Sequence, residues 1–338
     1  MRDVSDDILT DLEDADLRDI NIRLMRQLAR AKAKTEDLVD ATYRAAKDAL
    51  VIQAATKTPR PKLDKRSKHG EWALWHLTDW QGAKVTTSYD SKVMRQRVMQ
   101  FTEKAASITE IQRADHPVKS CAVLFGGDMV EGLFNFPTQA FEVDATLFEQ
   151  WATVSGLIAD VVRAALAGHD DVLVVAEWGN HGRIGSKRDA VPRADNFDRM
   201  CYETARMMLA GEDRLTWQDC PEDIQRVEIG NYRAILLHGD ETGRNGFVSE
   251  STFLSYLNRL KAGAYGWDFR DAYTGHLHTH NDRAMADGDG VWYQSGSTES
   301  DNRYARNGLG SAAKPSQRLH FVDPDKGRVT AQYKVWLD

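Results

Sequence analysis

The run Gly275-His276-Leu277-His278-Thr279-His280 carries three imidazoles at alternate positions within six residues. On an extended chain alternate residues face the same way. The spacing therefore suits ligands converging on a metal ion, and it suits equally a polar cluster on a solvated edge. Partners elsewhere in the chain must decide between the two. Asp79 closes the stretch EWALWHLTD, Asp128 closes CAVLFGGD, Asn180 and His181 close DVLVVAEWGNH, and His238 stands near the end of YRAILLHGD. Carboxylate, amide oxygen and imidazole together suit divalent ions such as Mn²⁺, Fe²⁺, Ni²⁺ or Zn²⁺. The donors are numerous enough for two ions sharing one carboxylate.

Each of these residues ends a short apolar run rich in Val, Leu and aromatics, at 71–79, 121–128, 171–181, 232–240 and 272–278. Such runs bounded by Gly or Asp read as buried strands. Helical spacing fills the intervals at 91–107, 145–167, 195–210 and 249–262. Alternating strand and helix define an α/β class with a largely buried sheet. In such sheets ligands bind at the C-terminal strand ends, where the candidate residues lie. The final runs, 290–297, 317–323 and 328–337, read as consecutive strands and predict a sheet that turns mixed late in the chain. Residues 18–56 contain neither Pro nor Gly and space their apolar positions three and four apart, which predicts helix. Thr58-Pro59-Arg60-Pro61-Lys62 ends that helix, because proline removes a donor and pushes its predecessor out of the helical region. The expected organisation is a helical N-terminal extension over 1–65 and a catalytic domain over 66–338.

Five short stretches in order, TDWQG, GGDMVEG, GNHGR, LLHGDE and GHLH, resemble the five signature motifs of the calcineurin-like metallophosphoesterase superfamily, most of all its repair-exonuclease-type and phage-encoded members. The resemblance spans roughly residues 71–300. It implies a mixed-sheet α/β sandwich of two sheets flanked by helices. It also implies a site in which Asp128 bridges two divalent ions. Asp79 and His278 would hold the first ion, with Gln81 standing where the family usually carries histidine. Asn180, His238 and His276 would hold the second. His181 would face the phosphate and assist the leaving oxygen. Two ions about 3.5–4 Å apart can grip a phosphate and deprotonate a bridging water. Mn²⁺ is the first expectation, with Mg²⁺, Fe²⁺, Ni²⁺ or Zn²⁺ as alternatives, and the amide of Gln81 tilts the first position toward a harder ion.

The chain departs from the pattern again at Gly182, where many members carry an acid beside the histidine. Arg183 then becomes a candidate phosphate contact, since its planar fork matches phosphate oxygens, and an ordinary loop arginine is the competing reading. The long Gly/Ser/Asn-rich stretch 295–317 should rim the site, with Arg303, Tyr304 and Arg306 as substrate contacts, and 133–144 should form the opposite rim. Trp80 is either core or a stacking platform for a base. Asp240 and Glu241 either orient ligand histidines or form a polar turn. His280 has no counterpart in the motif.

Across all 338 residues the formal net charge is −7, yet between Leu17 and Lys68 fourteen Lys and Arg stand against six acids. The basic segment is a solvated helical face or a polyanion contact. No apolar run approaches the roughly 20 residues of a membrane span, and the acidic N-terminus lacks a signal-peptide core. Cys121, Cys201 and Cys220 are odd in number and scattered, which fits reduced thiols and a cytoplasmic setting. The leading expectation is a two-metal phosphodiester hydrolase acting on nucleic acid, as a DNA nuclease or a nucleic-acid phosphodiesterase. The alternatives are a phosphatase or phosphodiesterase of nucleotides and other small phosphoesters, and a scaffold whose metal site has decayed. The apolar positions of the helical segment should pack against the catalytic domain or a second copy of the chain. A chain beginning at Lys68 should still hydrolyse a small phosphodiester while changing in oligomeric state or in activity on long DNA. A soluble, metal-loaded truncation inert toward the small ester would show that the segment helps build the site.

Overall fold

A computed structural model describes residues 58–62, 64–66, 70–133, 135, 139–185, 193–219, 223–242, 249–301 and 314–338. The helical extension expected over 1–65 lies almost wholly outside these residues. Six of the seven residues of β1 (Glu71–Leu77) are buried. A strand is buried this way only when both faces of its sheet are covered, and here they are. β1 pairs in parallel with β2 (Val118–Phe125), β2 with β3 (Asp171–Ala176), and β3 with the short β4 (Leu215–Trp217). On the other side of β1 run β10 (Ser316–Asp323) and β11 (Arg328–Trp336), both antiparallel to their neighbours. The order of this six-stranded sheet is β11-β10-β1-β2-β3-β4. A second sheet has the order β5-β6-β7-β9-β8, from β5 (Gln225–Ile229), β6 (Tyr232–Leu236), β7 (Asp271–Thr274), β8 (Asn281–Ala284) and β9 (Val291–Gln294). Its three central strands β6, β7 and β9 are parallel.

Leu74, Leu124 and Val175 of the first sheet meet Val227, Tyr232, Leu236 and Tyr273 of the second in one buried apolar cluster. α1 (Ser91–Arg113), α2 (Leu147–Gly168) and α3 (Phe197–Met208) lie with the first sheet, and α4 (Glu250–Arg259) covers the second through Phe253 and Leu257 against Ile235, Ala272 and Trp292. The result is two mixed sheets flanked by helices, the α/β sandwich that the resemblance implies. The helices start where their caps dictate. Asp90 accepts from the Val93 N–H at 2.7 Å, Thr146 and Glu149 form a reciprocal capping box, and Asn196 accepts from the Asp198 N–H at 2.8 Å; each cap supplies a partner for an otherwise unpaired donor of the first turn. α2 is long and apolar enough to cross a membrane by composition. Its Val154, Leu157, Ile158, Val161, Val162 and Leu166 are buried within the sandwich, which accounts for its hydropathy without a bilayer.

The strands stop earlier than their apolar runs suggest, at Leu77, Phe125, Ala176, Leu236 and Thr274, so the candidate ligands sit in the loops just beyond. The histidine run is therefore not extended. β7 ends before it, and His276 and His278 adopt φ of 67° and 54°. Three strands escape the sequence reading: β4 is only three residues long, and β5 and β8 are polar, with β8 largely exposed. Cys121 and Cys201 are buried free thiols. Leu124 lies at the centre of the intersheet cluster, and Leu124→Ala should cost about 2–5 kcal/mol, read as a lowered urea midpoint with an unchanged m-value.

Candidate metal centre and active site

Five strand exits from two sheets deliver the candidate residues to one place. Asp79, Gln81, Asp128, His276 and His278 all have positive φ, between 49° and 67°. Non-glycine residues rarely take this left-handed conformation, and it tends to cluster at functional sites. The loops pack so closely that a Cβ on Gly179 would run into the Asp128 carboxylate, and one on Gly275 into Asp79.

Donor atoms gather in two sets. In the first, His278 Nε2 lies 3.4 Å from Asp79 Oδ1 and 3.3 Å from the Gln81 amide, and that amide lies 3.4 Å from Asp128 Oδ2. In the second, His238 Nε2 lies 3.1 Å from the same Asp128 Oδ2, 3.0 Å from Asn180 Oδ1 and 3.3 Å from His276 Nδ1. One proton on His238 Nε2 cannot serve three such neighbours, whereas a cation among them satisfies all four atoms. Bonds of about 2.0–2.1 Å separate neighbouring ligand atoms by about 2.8–3.0 Å around an octahedral ion and about 3.3–3.4 Å around a tetrahedral one, which brackets the spacings observed here. Gln81 Oε1 is buried with no hydrogen-bond partner. Turning the amide over would aim that oxygen at Asp128 and His278, since amide O and N are interchangeable assignments. The donor chemistry thus fits divalent metal, and Asp128 Oδ2 is common to the two donor sets.

The surrounding groups set the imidazoles for this task. His238 Nδ1 donates to the Gly126 carbonyl at 2.8 Å, which leaves Nε2 facing the other ligands. Burial opposes a charge on His238, but the carboxylates of Asp128, Asp79 and Asp240 outweigh it and raise its pKa well above the ordinary value. Burial and the His238 charge push His276 down to about 4, so its ring is neutral and has a lone pair to offer near neutral pH. Burial would raise the Asp128 carboxyl, but His238 and His181 hold it well below the usual range. A pocket holding this much buried carboxylate favours cations, and metal there would displace protons.

His181 stands apart from both sets. Its backbone N–H donates to Asp128 Oδ1 at 2.7 Å, and its ring Nε2 is 3.9 Å from Asp128 Oδ2, farther than any donor pair above. Its Nδ1 lies 3.1 Å from Glu131 Oε2. The acid absent at Gly182 is therefore supplied from the GGDMVEG loop, three residues after Asp128. Burial opposes the charge on His181, but Glu131 and then Asp128 raise its pKa. Asn135 and Gln139, from the segment expected to rim the site, reach the His181 carbonyl and the Glu131 carbonyl at 3.1 and 2.7 Å.

Arg183 is ion-paired with Asp240 at 2.7 Å, and Arg193 holds the same carboxylate at 2.9 Å. Glu241 accepts from the Gly239 N–H at 3.0 Å, which pins the turn after His238. Trp80 is fully buried with its ring edge-on to Phe125, so it is core and offers no face to a base. His280 lies outside both ligand sets, with burial and the Arg318 charge lowering its pKa to about 3. Arg303, Tyr304 and Arg306 lie outside the described residues. The same late segment nevertheless reaches the site: Ser297 donates to the Asp79 carbonyl at 2.6 Å, and Glu299 lies 3.2 Å from His278 Nδ1. Sequence reasoning missed Glu131, Glu299 and Asp198. Glu131 had a local signal in its place in the same loop as Asp128, and Glu299 in its place on the late segment expected to rim the site.

No family model and no curated protein matches the chain. Among solved structures it is similar to a hypothetical protein from Pyrococcus horikoshii OT3, with 12% identity and a TM-score of 0.41 over 79% of this chain and 89% of that one. It is similar also to Vps29 from Entamoeba histolytica complexed with zinc, with 13% identity and a TM-score of 0.34 over 79% and 99%. A third similar structure is a predicted phosphoesterase from Streptococcus pneumoniae TIGR4, with 13% identity and a TM-score of 0.30 over 78% and 98%. Values this low transfer neither substrate nor role, which are argued below from the site's own chemistry.

Asp128 belongs to both donor sets and Gln81 to one. Asp128→Ala should therefore lose more bound Mn²⁺ than Gln81→Ala, and Gln81→His should retain or tighten it. Isothermal titration of the metal-stripped proteins gives the order directly, and the reverse order would refute the shared-carboxylate assignment.

Proposed function

We propose that this chain is a divalent-metal-dependent phosphodiester hydrolase acting on nucleic acid. The observation that carries the reading is the meeting of two donor sets at Asp128 Oδ2 with a histidine, His181, beside them but outside both. Two bound divalent ions would supply Lewis acidity to a phosphoryl oxygen and lower the pKa of an attacking water. Asp79, Gln81, Asp128 and His278 would hold the first ion, and Asp128, Asn180, His238 and His276 the second, and Mn²⁺ would suit this mixed set.

Hydrolysis breaks one P–O bond, forms another to the water oxygen, and gives the leaving oxygen a proton. His181 is the group for that last step. Glu131 lies at its Nδ1 side and its Nε2 side faces the carboxylate shared by the two sets, the placement that a proton donor to the leaving oxygen needs. Asp128, His238 and Asp79 are held by backbone contacts before any substrate binds, and such preorganisation is the condition for electrostatic stabilisation of a transition state. Arg183, held by Asp240, and Arg303 with Tyr304 on the 302–313 segment are the proposed substrate contacts. The basic stretch Leu17–Lys68 supports a polyanionic substrate.

Three experiments test the reading. Stripping metal with EDTA should abolish hydrolysis of bis(p-nitrophenyl) phosphate and of DNA, and Mn²⁺ should restore both; full activity in metal-free protein would overturn it. Parallel assays on linear, circular, single- and double-stranded DNA and on nucleotides decide the substrate class, and turnover confined to nucleotides would reject nucleic acid. His181→Ala should keep its metal and lose about 10²–10⁴ in turnover.

A further inference from the structure

Lys84 lies three residues beyond Gln81, on the loop that leaves β1, with its backbone N–H donating to the Gln81 carbonyl at 2.9 Å. Its ammonium is 3.4 Å from Glu131 Oε1 and 3.8 Å from Glu299 Oε1. The side chains of both glutamates are 1% exposed, and that of Lys84 is 12% exposed. Each glutamate turns its other oxygen to a histidine: Glu131 Oε2 to His181 Nδ1 at 3.1 Å, and Glu299 Oε2 to His278 Nδ1 at 3.2 Å. A continuous line of buried charge therefore runs His181–Glu131–Lys84–Glu299–His278. It joins the histidine assigned to the leaving group with a histidine of the first donor set. The two glutamates come from loops 168 residues apart, as their numbers show, and Lys84 stands between them.

Two carboxylates withdrawn from water repel each other and are costly to bury without a compensating cation. Lys84 provides one. Burial works against its charge, but Glu131 and Glu299 outweigh burial and raise its pKa above the ordinary value. A lysine spends considerable side-chain entropy to be held in one place, which a purely decorative surface pair would not return. Groups that orient metal-ligating or acid–base histidines commonly affect affinity or activity about 10–100-fold.

We propose that Lys84 is a positioning residue for both halves of the site at once: by holding Glu131 and Glu299 together, it fixes the His181 ring toward the leaving oxygen and the His278 ring toward the first ion. The proposal rests on the metal-dependent hydrolase reading for its His181 arm and on the donor geometry alone for its His278 arm.

The test uses the full chain with Lys84→Met, Lys84→Arg, Glu131→Gln and Glu299→Gln, each checked for fold by circular dichroism. Mn²⁺ titration of the metal-stripped proteins reads the His278 arm. Turnover at saturating Mn²⁺ on a p-nitrophenyl phosphodiester and on an alkyl phosphodiester, whose poorer leaving group needs the proton more, reads the His181 arm. Lys84→Met should weaken Mn²⁺ binding about tenfold or more and lower turnover about tenfold or more, with the larger loss on the alkyl ester. Glu299→Gln should reproduce the Mn²⁺ effect, Glu131→Gln the leaving-group effect, and Lys84→Arg should recover most of both. Lys84→Met that leaves either arm at the wild-type value overturns the proposal, as does an equal loss on the two esters. If Lys84→Met does not fold, the other three variants decide: the proposal falls if Lys84→Arg loses both arms or if the two glutamate variants do not separate them. A wild-type chain that binds Mn²⁺ but hydrolyses neither ester overturns the proposed function instead, and the Mn²⁺ titrations still judge the His278 arm.

Discussion

The carboxylate of Asp198, at the start of α3, accepts four backbone N–H groups, from Asp128, Met129 and Val130 in the loop after β2 and from Gly179 in the loop after β3, at 2.8–3.1 Å. Those four donors would otherwise be buried and unpaired, each costing about 1–3 kcal/mol. Because both loops hang from one acceptor, the left-handed Asp128 is held where the two donor sets can share it. Burial and the nearby Asp128 raise the Asp198 pKa to about 6, the expected consequence of setting two carboxylates together away from water. A centre that assembles like charges needs a rigid support of this kind.

The remaining strand exits are tied down with comparable economy of parts. Gln317, on β10, accepts the Thr78 N–H at 2.7 Å and donates to the Thr78 and Gly296 carbonyls at 3.1 and 2.7 Å. The antiparallel strand added late in the chain therefore clamps the loop that carries Asp79. Asp79 itself accepts the His276 N–H at 3.0 Å, linking the first sheet to the second directly across the site. Thus the sandwich seam is also the seam of the donor cluster. Shifting one sheet against the other would separate Asp79 and Asp128 from His238, His276 and His278, so packing of the core and geometry of the site are one problem.

Acidic and basic partners are matched around the centre rather than left to solvent. Arg183 and Arg193 both answer Asp240, and Lys84 answers Glu131 and Glu299. Ion pairs this deep contribute little net stability, because desolvation offsets much of their attraction. Their effect is to hold orientation, and orientation is what a site built from side chains on five separate loops most needs.

The sequence by itself determined a good deal. Strand and helix alternated as read, because buried strands flanked by helices demand near-continuous apolar runs and amphipathic helices demand a 3.6-residue period. The polar residues closing those runs did come together, because C-terminal strand ends of a layered sheet share one edge. Other features were invisible in one dimension. The alternate spacing of His276 and His278 suggested a strand face, yet left-handed backbone aims them, and φ is set by how a loop packs rather than by residue type. Polar strands such as β8 take their place from pairing with β9, not from their own pattern. Lys84 and Asp198 carry no local signature, since a buried charge is chosen by whatever lies opposite it in space. Only the tertiary structure brings those opposites face to face, and so only it decides which carboxylate serves which histidine.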